Sequence, residues 1–271
     1  MKKIFIFFLL IAGKTKAQEL FVFTEPASNM PAKSLGIRLT STLMHDKDEN
    51  KTNIHLLPEL MWGANKNLML HAEGFISNRN NGFAAEGFGV YGKYRFLSKD
   101  AVHSHFRMAA YGRVSYNSSD IHQEEIEITG HNSGYEAGII TTKLLHKTAL
   151  SSSFSFEKAL NNNSNKFPST QSSSAINYTL SAGKLLLPKD YTSYKQTNMN
   201  FMFEILGQTL TGNGKSFLDI APSLQFIFNS QARLDIGYRQ QLYSSMFRSA
   251  PNGVLLRFEY LIFNVMKSLG H

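Results

Sequence analysis

The chain of 271 residues contains no cysteine. That excludes disulfides, thiolate metal sites, cysteine nucleophiles and a lipid-modified cysteine behind an export signal. It also lacks an apolar run of the roughly twenty residues that a membrane-crossing helix needs. Its opening run, Ile4 to Ala12, is nine residues long. No convincing helical periodicity appears elsewhere. Lysine and arginine form no cluster, so nucleic acid is not expected as a partner. Nothing in the sequence implies a cofactor.

What is present begins with MKKIFIFFLLIAGKTKA: two lysines, the short apolar run, then small residues ending at Ala17. This is the layout of a secretory signal, so residues 1–17 are expected to be removed. The formal charge of +8 then falls by four, for Lys2, Lys3, Lys14 and Lys16, to +4. Export without disulfides fits a bacterial envelope. Mean hydropathy is −0.21, a value ordinary for soluble proteins. It is equally ordinary for a membrane strand, which is apolar on one face only.

From Ser34 onward one rhythm repeats: ten to thirteen residues of alternating apolar character, then a polar break rich in Gly, Asn and Ser. Twelve such runs lie near 34–44, 52–62, 67–78, 85–97, 103–116, 132–145, 148–158, 173–186, 196–208, 216–228, 231–243 and 253–264. Each is long enough for a tilted strand to cross a bilayer. The breaks after odd runs, such as NSSDIHQEEIEITGH, are long, whereas most after even runs, such as GANK and HK, are short. An even strand count with short turns on one side and long loops on the other is the bacterial barrel pattern, with both termini in the periplasm. The expected fold is therefore an all-β, transmembrane antiparallel β-barrel of about twelve strands. Residues 18–33 precede it as a periplasmic segment, 34–264 form it, and 265–271 follow as a tail.

Orientation follows from charge. In ARLDIGYRQQL, Leu234, Ile236, Tyr238 and Leu242 share one parity while Arg233, Asp235, Arg239 and Gln241 share the other. An arginine turned to lipid near midplane would cost about 2 to 4 kcal/mol, so the apolar face must look outward. A soluble sandwich or lipocalin-like barrel would show the same alternation with the faces exchanged. The export signal, the strand lengths and the aromatics near run ends (Trp62, Tyr94, Phe96, Phe228, Tyr243, Phe263) favour the membrane. Pro58 and Pro222 fall inside runs, where a closed barrel offers no edge, and β-bulges are expected to accommodate them.

The signal, the segment ELFVFTEPASNMPAKSLGIRL, the following LLPELMWGANKNLMLHAEGFISN and the final strand GVLLRFEYLIFNV resemble outer-membrane β-barrels of the transporter or porin type found in Bacteroidota. The resemblance implies an outer-membrane location, lipid and the barrel-assembly machinery as partners, and passage of a small solute it does not identify. Such barrels often end on an aromatic residue, whereas here Asn264 to His271 extend beyond Phe263.

Parity directs His55, Glu59, His71, Glu73, Lys93, Arg95, His105, Arg107, Arg113, Glu204, Asp219, Arg233, Asp235, Arg239, Arg257 and Glu259 into the lumen. They can pair to fill the interior or line a selective path as charged rings do in channels. His55, Glu59, His71 and Glu73 sit on neighbouring runs, where imidazoles and carboxylates could gather and hold a transition metal, although their spacing matches no tight metal motif. Interior hydrogen bonding is the plainer reading of that group. Twelve-stranded outer-membrane phospholipases supply an enzyme alternative, through Ser104, His105 and Ser151 to Ser153. Adjacent strand residues face opposite ways, however, so Ser104 and His105 cannot simply pair. The expected role is a porin-like channel or export component and not an enzyme; the alternative is a non-conducting barrel that presents its long loops. Glu19 to Lys33, with Pro26 and Pro31, reads as a flexible periplasmic tail or, alternatively, as a lumen plug.

Overall fold

The computed structural model describes residues 21–46, 51–79, 82–102, 104–188 and 195–265. The export signal, the start of the mature chain at Gln18 and nearly all of the tail lie outside these residues. Twelve strands are present: β1 (Leu35–Asp46), β2 (Lys51–Gly63), β3 (Leu68–Ser77), β4 (Ala84–Ala101), β5 (Ser104–Asn117), β6 (Gly134–Leu145), β7 (Thr148–Ala159), β8 (Ser174–Leu187), β9 (Asn198–Leu210), β10 (Ser216–Phe228), β11 (Ala232–Ser244) and β12 (Gly253–Ile262). Each pairs antiparallel with the next. β1 pairs β12 from Leu35 opposite Ile262 to Met44 opposite Gly253, which closes the barrel. Closure satisfies backbone groups that an open edge would leave exposed.

The two faces divide as charge requires. On β1, Ile37 and Leu39 are 56% and 46% exposed while the intervening Arg38 and Thr40 are buried. The same alternation puts Val114, Ile139, Phe154, Leu180, Ile236 and Phe258 on the outer surface. Arg233, Asp235, Glu204 and Asp219 face the enclosed centre. A soluble barrel would carry the reverse distribution. Trp62, Phe228 and Phe263 sit at strand ends on the rim where β1 begins, and Tyr243 sits at the other rim.

The prolines are accommodated differently from the expectation. Pairing across β2 and β3 keeps one register on both sides of Pro58, Leu56 opposite Ile76 and Glu59 opposite Glu73, with only the intervening pairs missing. Gly74 lies opposite, where a Cβ would come 3.2 Å from the proline ring. Pro222 stays in register with Phe203 of β9. The bulge nearest to it falls earlier, between Leu218 and Asp219, and sets Leu242 apart on β11. Neither proline therefore occupies a bulge. Each turns its missing N–H toward a two-residue gap in one ladder, which leaves no donor to replace.

Turns differ by rim. β6 and β7 join through His146 and Lys147, with His146 at φ 54°, and β10 and β11 join through Asn229, Ser230 and Gln231, the first two at positive φ. This is the backbone that tight hairpins require. Residues 118–133, 160–173 and 245–252 make the long connections of the opposite rim.

Leu256 lies mid-strand on the outer face. Leu256→Arg is expected to destabilise the protein in lipid vesicles by about 2 to 4 kcal/mol, measured by denaturant titration. Unchanged stability would mean this face does not meet acyl chains.

Candidate functional site: an occupied lumen

The interior is filled from both ends. From the rim where β1 begins, residues 21–33 run inside the barrel. The Glu204 carboxylate accepts the backbone N–H groups of Val22, Phe23 and Thr24, each at 2.9 Å, and the Thr24 hydroxyl at 2.6 Å. Thr142 accepts the Ala27 N–H at 2.9 Å, and Lys93 donates to the Pro26 carbonyl at 2.7 Å. Arg107 donates to the Ser28 hydroxyl at 2.6 Å. Phe21 and Val22 pack on Leu144, Ala149, Met202 and Leu255 of the inner wall. Glycines make room where the chain comes close. A Cβ at Gly237 would lie 2.6 Å from the Phe23 ring, and one at Gly63 would lie 2.1 Å from the Pro31 carbonyl oxygen. This part of the segment is thus held inside the barrel and is not a free tail.

From the other rim, loop 118–133 turns inward. Gln208 accepts the Ile126 N–H at 3.0 Å and donates to its carbonyl at 2.7 Å, so one side chain satisfies both backbone groups of that residue. Ile126 and Ile128 join Leu210, Phe217 and Met246 in an apolar cluster inside the wall. Glu125 binds Arg248 at 2.7 Å and Arg239 at 2.9 Å, and both arginines also hold Asp219. Burial works against ionisation of Glu125, but Arg248 and Arg239 keep its carboxyl below the usual range.

Between the two insertions the walls carry ion networks. Arg38 reaches Glu259 at 2.8 Å, Glu25 at 2.9 Å and Glu59 at 3.3 Å. Burial opposes the charge on Glu25, yet Lys93 and then Arg38 hold that carboxyl well below its ordinary value. Arg233 lies 2.9 Å from Asp235 and 3.4 Å from Glu259. Arg113 bridges Glu73 at 3.2 Å and Glu136 at 2.9 Å, stacked over Tyr91. Such partners are what make buried charge tolerable. A cavity of about 330 Å³ remains at the centre, with lining from the segment, the loop and most strands.

Of the residues that sequence parity directs inward, His55, Glu59, His71, Glu73, Arg113, Arg239 and Arg257 line this cavity. Lys93, Arg107 and Glu204 hold the segment, and Asp219, Arg233, Asp235 and Glu259 are buried in the networks. Arg95 and His105 sit at the rim, bonded to the Lys66 carbonyl and to Asp100. Ligand atoms of Glu59, His71 and Glu73 lie within 4.8 Å of one another. Arg38 and Arg113 already bind those carboxylates, so a metal would have to compete with two guanidinium groups. Ser151 bonds Thr142 and Ser153 bonds Thr179. Arg38, Glu136 and Glu157 share the inward parity but were not singled out from the sequence. Glu25, Glu125, Glu127, His131 and Arg248 come from non-strand segments, where no periodicity marks them.

Loop docking should respond to pH through two opposed groups. His131 stacks on His55 at 4.8 Å and stands 6.2 Å from His122. Burial, then Arg79, His55 and His122, hold it well below the ordinary histidine value. Its contribution to docking is present above about pH 6.5 and is lost as pH falls. Burial and Glu125 push Glu127 up to about 7, so its contribution is full at low pH and lost as pH rises through 7. Between pH 7 and 5 the two terms oppose each other. Glu127→Gln removes one of them, so proteolysis of residues 118–133 should increase more steeply on acidification than in the parent chain. Parallel pH profiles would contradict this assignment.

No protein-family model matches the chain, and neither does any curated protein sequence. Solved structures do match. An outer-membrane channel from Pseudomonas putida F1 superposes with a TM-score of 0.57 at 9% identity, covering 89% of this chain and 100% of that one. The NanC porin gives 0.51 at 9% identity, covering 84% and 98%. The chain therefore has the fold of outer-membrane porin-type barrels.

Proposed function

We propose that this protein is an outer-membrane, porin-like channel for small solutes, with residues 21–33 as a removable obstruction of its path. The observation that carries the reading is the polar cavity at the barrel centre. Wall side chains alone do not fill a twelve-stranded lumen, and what closes it from the rim where β1 begins is residues 21–33, held there by side-chain hydrogen bonds. In this reading both termini and the short turns face the periplasm and the long loops face outward, with lipid around the apolar belt and the assembly machinery acting during insertion. A non-conducting barrel that presents its loops is the second reading, and the density of ion pairs around the cavity favours it.

Glu204 sets the strength of the obstruction. Charge-assisted hydrogen bonds contribute about 1.5 to 3 kcal/mol each, so Glu204→Gln is expected to shift the docked fraction by at least about tenfold. In planar bilayers the parent chain should give small or infrequent steps, Glu204→Gln more frequent ones, and a chain lacking residues 19–33 reproducible larger ones. Silence from all three, each with a folded, heat-modifiable band, would overturn the channel in favour of the interaction barrel.

A further inference from the structure

Acidic side chains outnumber basic ones around the central cavity. Among the described residues, seven glutamates line it against four arginines. Arg38 and Lys93 serve Glu25, Arg38 also serves Glu59, and Arg239 and Arg248 serve Glu125. Arg113 is shared between Glu73 and Glu136. Arg257 stands 3.9 Å from Asp235 and donates to Thr40.

What remains is a surplus of carboxyl groups on one side. Glu157 of β7 faces Glu136 of β6 across the ladder, and its side-chain hydrogen bonds come from neutral amides, those of Gln208, at 3.2 Å, and Asn177. Glu127 of the loop has His131 at 3.7 Å, a ring that burial keeps uncharged. Ser153, Asn177 and Thr179 add neutral oxygen acceptors to the same wall.

A second, independent observation points to a polar ligand. Tyr91 and His71, only 2% and 3% exposed, line this cavity, and among the described residues the Tyr91 hydroxyl and His71 Nε2 have no hydrogen-bond partner. Buried polar groups are rarely left so. The chain as a whole is basic, so its net charge hides the sign of its interior.

We propose that the cavity selects small organic cations and seats an ammonium group against Glu127, Glu136 and Glu157. An ammonium brings three donors and no acceptor, which matches a wall of carboxylates, hydroxyls and amide oxygens. For passage this rests on the channel reading; for binding it does not.

Two measurements on the full mature chain test it. Reversal potentials in a KCl gradient at low salt should favour K⁺ over Cl⁻ by about fivefold, the order produced by one surplus charge acting through water at about 7 Å. Glu127→Gln with Glu157→Gln should reduce that preference to about twofold or less. In detergent, saturation-transfer NMR should detect ethylammonium but not propionate of matching size, with the signal lost in the double variant. Equal or anion-favouring permeability would overturn the inference, as would a preference unchanged in the folded double variant. If no variant conducts, the channel reading fails separately, and the NMR comparison decides: propionate bound as well as ethylammonium, or neither bound, ends the cation site.

Discussion

The constraint on which the structure depends is that backbone polar groups in lipid must be satisfied within the protein. The β1–β12 ladder meets it by leaving no edge. Closure in turn creates an inside, and a chain whose outer face is committed to apolar residues must send its ionic residues there. The pairing of Arg38, Arg113, Arg233, Arg239 and Arg248 with buried carboxylates follows from that confinement. These networks are a consequence of enclosing charge, and they also give the lumen its chemistry.

The two inward segments exploit the same interior in different ways. Residues 21–33 are held chiefly by hydrogen bonds to the wall, with Glu204 collecting three successive backbone donors. Loop 118–133 is held by the Arg239–Glu125–Arg248 cluster and by an apolar patch around Phe217. An inner wall that is polar throughout would leave Phe21, Val22, Ile126 and Ile128 without apolar partners. Leu144, Met202, Leu210 and Leu255 are apolar residues facing inward, and each lies under one of the two segments. Wall positions that break the polar-inside rule therefore mark where the lumen is occupied.

The strands were legible because a membrane strand cannot drift: a one-residue slip would present Arg233 and Asp235 to acyl chains. Twelve runs, their boundaries within a few residues and the direction of each face follow from that rule. Pro58 and Pro222 were recognised as irregular, but the remedy was not visible. A two-residue gap in a ladder opposite Gly74 leaves no trace in the alternation, whereas a bulge would shift it. Glu136 and Glu157 carried the same parity as the residues singled out and could have been found. Glu125, Glu127, His131 and Arg248 could not, because their positions depend on how loops fold back, and loops have no period.

The absence of cysteine makes the central claim directly testable, since any single cysteine introduced is the only one. Spin labels attached through Ile139→Cys, Leu180→Cys and Leu256→Cys, and through Thr40→Cys, Ser153→Cys and Thr179→Cys, can be compared in vesicles by power-saturation EPR. The structure predicts that the first three are relaxed by oxygen dissolved in the acyl region, while the other three are shielded from it. Lipid contact at the second set and not the first would show that the barrel's faces are the wrong way round.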